Sequence, residues 1–580
     1  MNVTDNLKLP QYTGEDIFDL QDINKAYDSI DKAYGNLDDA RKEVVNIKKE
    51  VANIKNEITK TNATAEVIDA RGNKETLGER LDEFGSQLDT KASKEETKNI
   101  QVKLTNDIET INSQMDTAKQ DINKMIINDC VNVISLGVPT TGKGYANAKI
   151  NEIIGLIQSG KIVNKTLDFK GYTVDINGLI TVPWGINIIN ARFQVYHSDN
   201  SALKFKGRHI VDNISFYYPE QDMTGNKIIK YPSAIICDSS VGYSSFSNIN
   251  LGNAYKGIDL SNGVSGGTII YNVWGYPLYR GIIINNCIDV LNIDRVHFNP
   301  NYYGVPNVIL KTWVWQNAIG VECGRYDFGN VNRVFTWGYY SPFKVTTGTR
   351  GGACNNVKFT NWIADACQRF CVFEHHDGGL LFQNGTGTFY NPYEKEQKEA
   401  EMDIPNISNT IGTIQGGGSS VWGGNYVHFI NNRIYRCQSH GIFAKNPVVC
   451  IGNEFINYAH GYEESASAVI DAVQLQEGSD NSILANNLFD GKNKAQNRCI
   501  AINGSLNHKI SNNQYLGWKA ADIYGYKNTG TIIDGVIICD SSNRPSGYKR
   551  IGVKIFDTTL NKELTWNGSN WVQFDGNVVS

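Results

Sequence analysis

A strict seven-residue ladder near the start constrains this chain more than any other feature. Ile23, Ile30, Leu37, Val44, Val51 and Ile58 stand seven apart, and Ala26, Ala33, Ala40, Ile47 and Ile54 follow three residues behind. These are the a and d seams of a left-handed coiled coil over residues 19–64. The chain offers no second helix of matching length for this seam, so the spacing predicts an oligomer. β-Branched residues at both a and d between Val44 and Ile58 favour a trimer over a dimer. The stalk would be roughly 54 Å long at ~1.5 Å per residue. A turn and short helix follow over 65–95, marked by Gly72 and by Leu77, Leu81, Phe84 and Leu88. Heptad spacing then resumes over 96–127 with Leu104, Ile108, Ile111, Met115, Ala118, Ile122 and Met125. Residues 1–18 are a short polar lead.

At 580 residues the chain exceeds what one globular core fills, so several domains are expected. Its 55 basic and 60 acidic residues leave a net charge of −5, which argues against nucleic acid as a partner. No apolar run is long enough to span a bilayer, and the opening MNVTDNLKLPQY is polar. Neither membrane insertion nor a signal peptide is therefore expected. The 11 cysteines are scattered without a CxxC pair, which predicts buried free thiols in a protein made in a reducing cytoplasm.

The pattern changes near residue 130. Over 128–162, VNVISLG reads as an opening strand and NAKINEIIGLIQSG as an amphipathic helix that would cap the open end of the next segment. From 163 to 538 short β-prone runs alternate with Gly and Asn turns, and many open on Asn, such as NNRIYRCQSHGIF and NNLFDG. Asn432 and Asn453 are 21 apart, and Asn487 and Asn513 are 26 apart. A loose period in the twenties without helices predicts a mainly β chain built as a parallel β-solenoid. Asn suits its corners, because it tolerates the left-handed conformation and can hydrogen-bond along a ladder. About 25–30 residues per rung and ~4.8 Å per step would give roughly a dozen rungs. A propeller or sandwich is the alternative, but the repeated aromatic signature of propeller blades is missing.

Several strings carry a resemblance. LDFKGYTVDINGLITVPWGINIINARF (167–193), IDRVHFNPNYYG (293–304), WVWQNAIGVECGRYDFGNVNRVFTWGY (313–339) and NRPSGYKRIGVKIFDTTLNKELTWNGSNW (543–571) stand behind the stalk and capping helix. Together they resemble the tailspikes and preneck appendage (receptor-binding) proteins of small tailed phages of Gram-positive bacteria. The resemblance covers about residues 65–575 and implies a right-handed parallel β-helix of the pectate-lyase type. It also implies a homotrimer in the virion tail, held by tail or neck proteins through its N-terminus, with residues 539–580 as a C-terminal β tip module. The implied task is adsorption to a host glycopolymer, wall teichoic acid or capsule, and its depolymerisation by a glycosidase or phosphodiesterase. A non-catalytic receptor-binding appendage is the alternative. A secreted adhesin fits less well, given the polar start and unpaired cysteines.

Residues 271–377 hold most of the candidate chemistry. Trp274, Trp313, Trp315, Trp337, Trp362, Tyr302 and Tyr303 are expected to line an exposed groove, because flat rings stack on sugars. Cleaving a glycosidic bond needs two facing carboxylates, one protonated and one ionised. Asp294 and Asp327 are the first choices for acid and base, since both lie in the resembling strings; Glu322 and Asp365 are the reserves. Glu374, Asp377, Arg295, Arg325, His297, His375 and His376 share the region. EHHD (374–377) is not expected to bind a metal, because adjacent strand residues point to opposite sides. No cofactor is expected, with a loop-bound calcium ion left open. GVPTTGKG (137–144) nearly fits a phosphate-binding loop, but Gly144 stands where the metal-binding Ser or Thr belongs, so it reads as a hinge.

Overall fold

The computed structural model describes residues 130–579 except 239, 303, 305–306, 403–412, 415–425, 438–439, 459–468, 493–495, 519–520, 526–529 and 545–550; it also describes an antiparallel strand pair, Asn2–Val3 with Pro10–Gln11. The chain divides into two units, Met1–Asn128 and Asp129–Ser580. Both heptad seams and the short helix over 65–95 lie outside the described residues.

In the second unit, strand after strand pairs in parallel with the strand one turn later. A first sheet runs rung by rung from Ile180–Val182 to Cys371–Phe373, and Thr413–Ile414 to Ala521–Tyr524 form a later five-stranded sheet. A second sheet follows the chain from Val131–Asn132 to Ile532–Ile533. This is the parallel solenoid that the Asn-led runs predict. Alternate residues of each strand point inward and join one continuous apolar core. Large rings share that interior with the aliphatic side chains. Phe359, Phe382 and Phe429 stack at 4.5 and 5.4 Å on successive rungs, nearly parallel.

Asparagine shapes the rungs in two ways. Each second-sheet strand bends at one left-handed residue, and these residues lie in register: Asn190, Asn213, Asn248, Asn272, then Arg295 and Arg333, then Asn361, Asn384 and Asn431, with φ between 52° and 62°. Asn is the L-residue that adopts this conformation most readily after Gly. One position later in the upper rungs, Asn432, Asn453, Asn487 and Asn513 are chained side chain to side chain at 2.9–3.0 Å. Each also donates to a carbonyl oxygen of an earlier rung, as Asn453 does to Phe429 at 2.8 Å.

The helix Asn147–Gln158 buries Ile150, Ile153, Ile154 and Ile157 against the end strand Ile180–Val182. The 137–144 loop is tied to the first rungs, with Thr141 Oγ1 and the Gly142 amide donating to Asp175 at 3.0 and 2.9 Å. Among the described residues two helices interrupt the rungs, contrary to the helix-free expectation, at Val308–Asn317 and Glu394–Glu399. All 11 cysteines are free thiols, and all but Cys130 are buried. At the C-terminal end, Val536–Cys539, Lys554–Asp557, Lys562–Trp566 and Trp571–Val572 enclose a separate small core. The FDTTL string is structural there. Asp557 is buried and receives Arg544 Nε at 2.7 Å, Ser541 Oγ at 2.9 Å and the Thr559 and Leu560 amides. Among the described residues no helix is long and apolar enough to cross a membrane.

Candidate active site

The strand Ile319–Asp327 of the first sheet carries two of the four expected carboxylates, Glu322 and Asp327. They are five residues apart, or roughly 16 Å at ~3.3 Å per residue, too far to act on one bond. Glu322 belongs to an ion-pair network on the outer face. Arg280 Nε lies 2.5 Å from it, and Lys344 bridges toward Glu374 at 2.9 Å. Burial opposes ionisation of Glu374, but Thr346 and Lys344 outweigh it and hold the carboxyl below its ordinary range.

Asp327 lies in a different setting. Its neighbour one rung on is Asn355, whose own neighbour is Gly378. The register slips between Cys354 and Asn355, so the facing strand His376–Gly378 bulges by one residue, Asp377. Such bulges re-aim side chains. His376 and Gly378 turn inward, leaving Asp377 outward. Two rung steps separate the backbones of Asp327 and Asp377 by about 10 Å. Asp377 is held by the Ala353 amide at 2.9 Å, and His375 Nε2 lies 3.6 Å from it. Burial raises Asp327 above the ordinary carboxylate range; Arg325, 3.3 Å away, works against the rise, and the charge on Asp377 adds to it. The loop over residues 346–353 rims the site. The Thr349 amide donates to Asn285 at 2.7 Å, and Gly352 packs against Arg325 where a Cβ would come within 3.1 Å.

The other two expected carboxylates lie elsewhere. Asp294 sits on the second sheet, so it does not face Asp327. Arg333 grips both its oxygens, with Nε at 2.8 Å from Oδ1, and Asn332 adds a bond at 2.9 Å. These contacts, Arg333 foremost, hold Asp294 ionised below its usual range, the reverse of what a general acid needs. Asp365, also on the second sheet, accepts from Thr388 at 2.8 Å.

The expected aromatic groove divides in three. Trp315 and Trp362 are corrections: both are buried in the interior. Trp315 lies on the inner side of the helix Val308–Asn317 with Leu310 and Val314. Trp362 packs between Phe343 and Phe370 and over Gly385, where any Cβ would collide with its ring. Trp313 is half-buried against the stacked Tyr255–Tyr279 pair, with Arg280 over Tyr279 at 3.7 Å, beside the Glu322 network. Trp274, Trp337 and Tyr302 belong to the second sheet and its following loop, while Tyr303 lies outside the described residues. Of EHHD, His376 is buried and pushed down to about 4 by burial, and no His, Cys, Asp and Glu cluster among the described residues could hold a metal ion.

Sequence reasoning missed Asp377 as the charge that acts on Asp327. The only signal was its place in the EHHD string, because sequence spacing does not say which strands stack two rungs apart. No family model matches the sequence, and no curated protein matches it. Solved structures do match. Tailspike protein 3 of bacteriophage CBA120 is 12% identical, over 78% of this chain and 70% of that one, with a TM-score of 0.30. The surface adhesin PfbA of Streptococcus pneumoniae is 12% identical, over 78% and 100%, at 0.38. A tailspike mutant of E. coli bacteriophage HK620, solved with a hexasaccharide, is 12% identical, over 68% and 75%, at 0.40. At scores of this size the likeness carries no argument, and the solenoid rests on the strand pairings above.

Proposed function

We propose that this chain is a trimeric tail-appendage protein of a phage virion that adsorbs to a host-surface glycopolymer and hydrolyses it. Its N-terminal part would be held by tail or neck proteins, and its solenoid would face the polymer. The resembling strings and the heptad seams support the appendage role. The Asp327–Asp377 pair, displayed by a bulge on an open sheet face, carries the catalytic role. Backbones about 10 Å apart let the two carboxyls lean into the ~6.5–9.5 Å separation that leaves room for a water beneath the sugar, the inverting arrangement. Asp327, raised by burial, keeps its proton longer and gives it to the departing glycosidic oxygen. Asp377, anchored by the Ala353 amide and flanked by His375, takes a proton from the water attacking the anomeric carbon. No metal or cofactor enters these steps.

The test is release of reducing ends from purified host wall and capsule fractions. Asp327→Asn and Asp377→Asn should each lower the rate by about 10²–10⁴ while polymer binding persists. Asp294→Asn should leave the rate within a few-fold. Wild-type rates in both single variants would refute the pair, and no release from any fraction would reduce the protein to a binder.

A further inference from the structure

The segment 346–353 joins the strands Ser341–Val345 and Cys354–Asn355, and it does so by lying back over the outer face of the first sheet. Three contacts place it there. A Cβ added at Gly348 would come within 2.8 Å of Arg325 Cβ and 3.0 Å of the Asn285 carbonyl oxygen. The Thr349 amide donates to Asn285 Oδ1 at 2.7 Å. Arg350 donates a guanidinium N–H to the Asn262 carbonyl oxygen at 2.9 Å. Asn262 follows the strand Lys256–Asp259, Asn285 lies in Arg280–Cys287 and Arg325 in Ile319–Asp327, so the segment straps three successive rungs. Its tip is closed on itself. The Gly351 amide donates to the Gly348 carbonyl at 2.9 Å, and the Gly348 amide to the Gly352 carbonyl at 2.7 Å.

Little holds this strap down. Residues 346–352 place no apolar side chain in the core, and Thr347, Thr349, Arg350, Gly351 and Gly352 are exposed. A segment without an apolar anchor belongs to the low-stability end of a fold and opens locally. Gly351 and Gly352, at φ 80° and 76°, give it a pair on which to turn without moving Ala353, whose amide holds Asp377. The group beneath the strap is unsatisfied. Asn286 is in register with Arg325 and shares its outward face, whereas the next pair, Cys287 and Tyr326, is buried in the core. Yet Asn286 is only 3% exposed, and its Nδ2 has no acceptor among the described residues. A covered amide without an acceptor raises the free energy of the closed strap, and an incoming acceptor relieves it. One strand and two residues separate Asn286 from Asp327, about 8 Å between backbones.

We propose that the strap 346–353 is a movable cover, shut in this structure, which lifts so that substrate can reach the sheet face beside Asp327 and Asp377. Asn286 is a substrate-binding residue under it, donating to a hydroxyl or carbonyl oxygen, and Arg350 is the latch. A cover that is shut for most of the time lowers the apparent affinity by the fraction of time it is open, and leaves the chemical step alone.

The inference rests on the hydrolytic site proposed above, and the experiment separates the two. Amide exchange of residues 348–351 is followed in the full chain and its Arg350→Ala and Asn286→Leu variants, together with release of reducing ends from host wall and capsule fractions. In the wild type the strap amides should exchange faster than those of the rungs below. Arg350→Ala should speed that exchange about fivefold, the scale of one lost hydrogen bond, and lower KM by a similar factor with kcat unchanged. Asn286→Leu removes an unpaired donor at similar volume, so its thermal midpoint should hold or rise while KM rises about fivefold or more. A merely structural amide would leave KM where it was. Strap amides as slow as rung amides, a KM that is unchanged or raised in Arg350→Ala, or an unchanged KM in Asn286→Leu each overturn the cover and leave the hydrolytic site standing. If no fraction releases reducing ends, the hydrolytic reading falls by itself. The same factors are then read on polymer binding, where unchanged affinity in both variants overturns the cover. A chain that neither binds nor cleaves any fraction overturns both.

Discussion

Asp327 is decided by a contest between burial, which favours its proton, and Arg325, which favours its loss. Removing the guanidinium leaves burial and the Asp377 charge unopposed. Arg325→Met should therefore raise the Asp327 pKa further and move the alkaline limb of the pH–rate profile to higher pH, since the acid stays protonated longer. A pH–rate series on a soluble polymer fragment checks this; an unmoved or lowered alkaline limb would remove Asp327 from the acid role. Asp294 shows the opposite balance. Its depressed pKa means its ion pair contributes fully above the unfolded carboxylate value near 3.9 and is lost as pH falls through the lower folded value. Both aspartates lie in the resembling strings, and nothing in their spacing separates a paired carboxylate from a desolvated one. Only the partners brought in from other rungs do so.

Among elements, the solenoid rung was legible because one residue type does its local work. Asn is expected at corners for its left-handed tolerance and for laddering, and the structure uses it for both. Replacing Asn453 with Ala strands the Asn432 amide and frees a carbonyl of an earlier rung, so it should cost roughly 1–3 kcal/mol in thermal stability. A midpoint equal to wild type would mean the ladder adds little. The C-terminal element makes a stronger claim. Asp557 is a buried hub, so Asp557→Ala leaves Arg544 uncompensated and should cost about 3–5 kcal/mol. Limited proteolysis should then cut first after residue 539, whereas an intact tip would contradict the hub. The helix Val308–Asn317 is one short insertion between two rungs, marked in the sequence only by its N-cap, Asn307, which accepts from the Ile309 amide. Its apolar residues face the core like those of the strands beside it.

For the whole molecule, assembly is the open quantity. If the heptads form a three-stranded stalk, light scattering should give about three times 64.5 kDa, and Ile47→Asp with Ile54→Asp should lower that mass. A 64.5 kDa species at micromolar concentration would end the trimer. Thermal unfolding should be slow and irreversible, because each rung's pairings are to distant sequence. The sequence by itself determined the period, the parallel solenoid and the asparagine corners, since these depend on local conformation and on alternation along the chain. Tertiary structure alone decided which way the rings point and which carboxylates share a sheet. Trp315 and Trp362 turned inward because a helix face and a glycine gap received them. Asp327 and Asp377 came onto one sheet because the strand Cys354–Asn355 pairs with both of theirs, and contacts between rungs follow from register rather than composition.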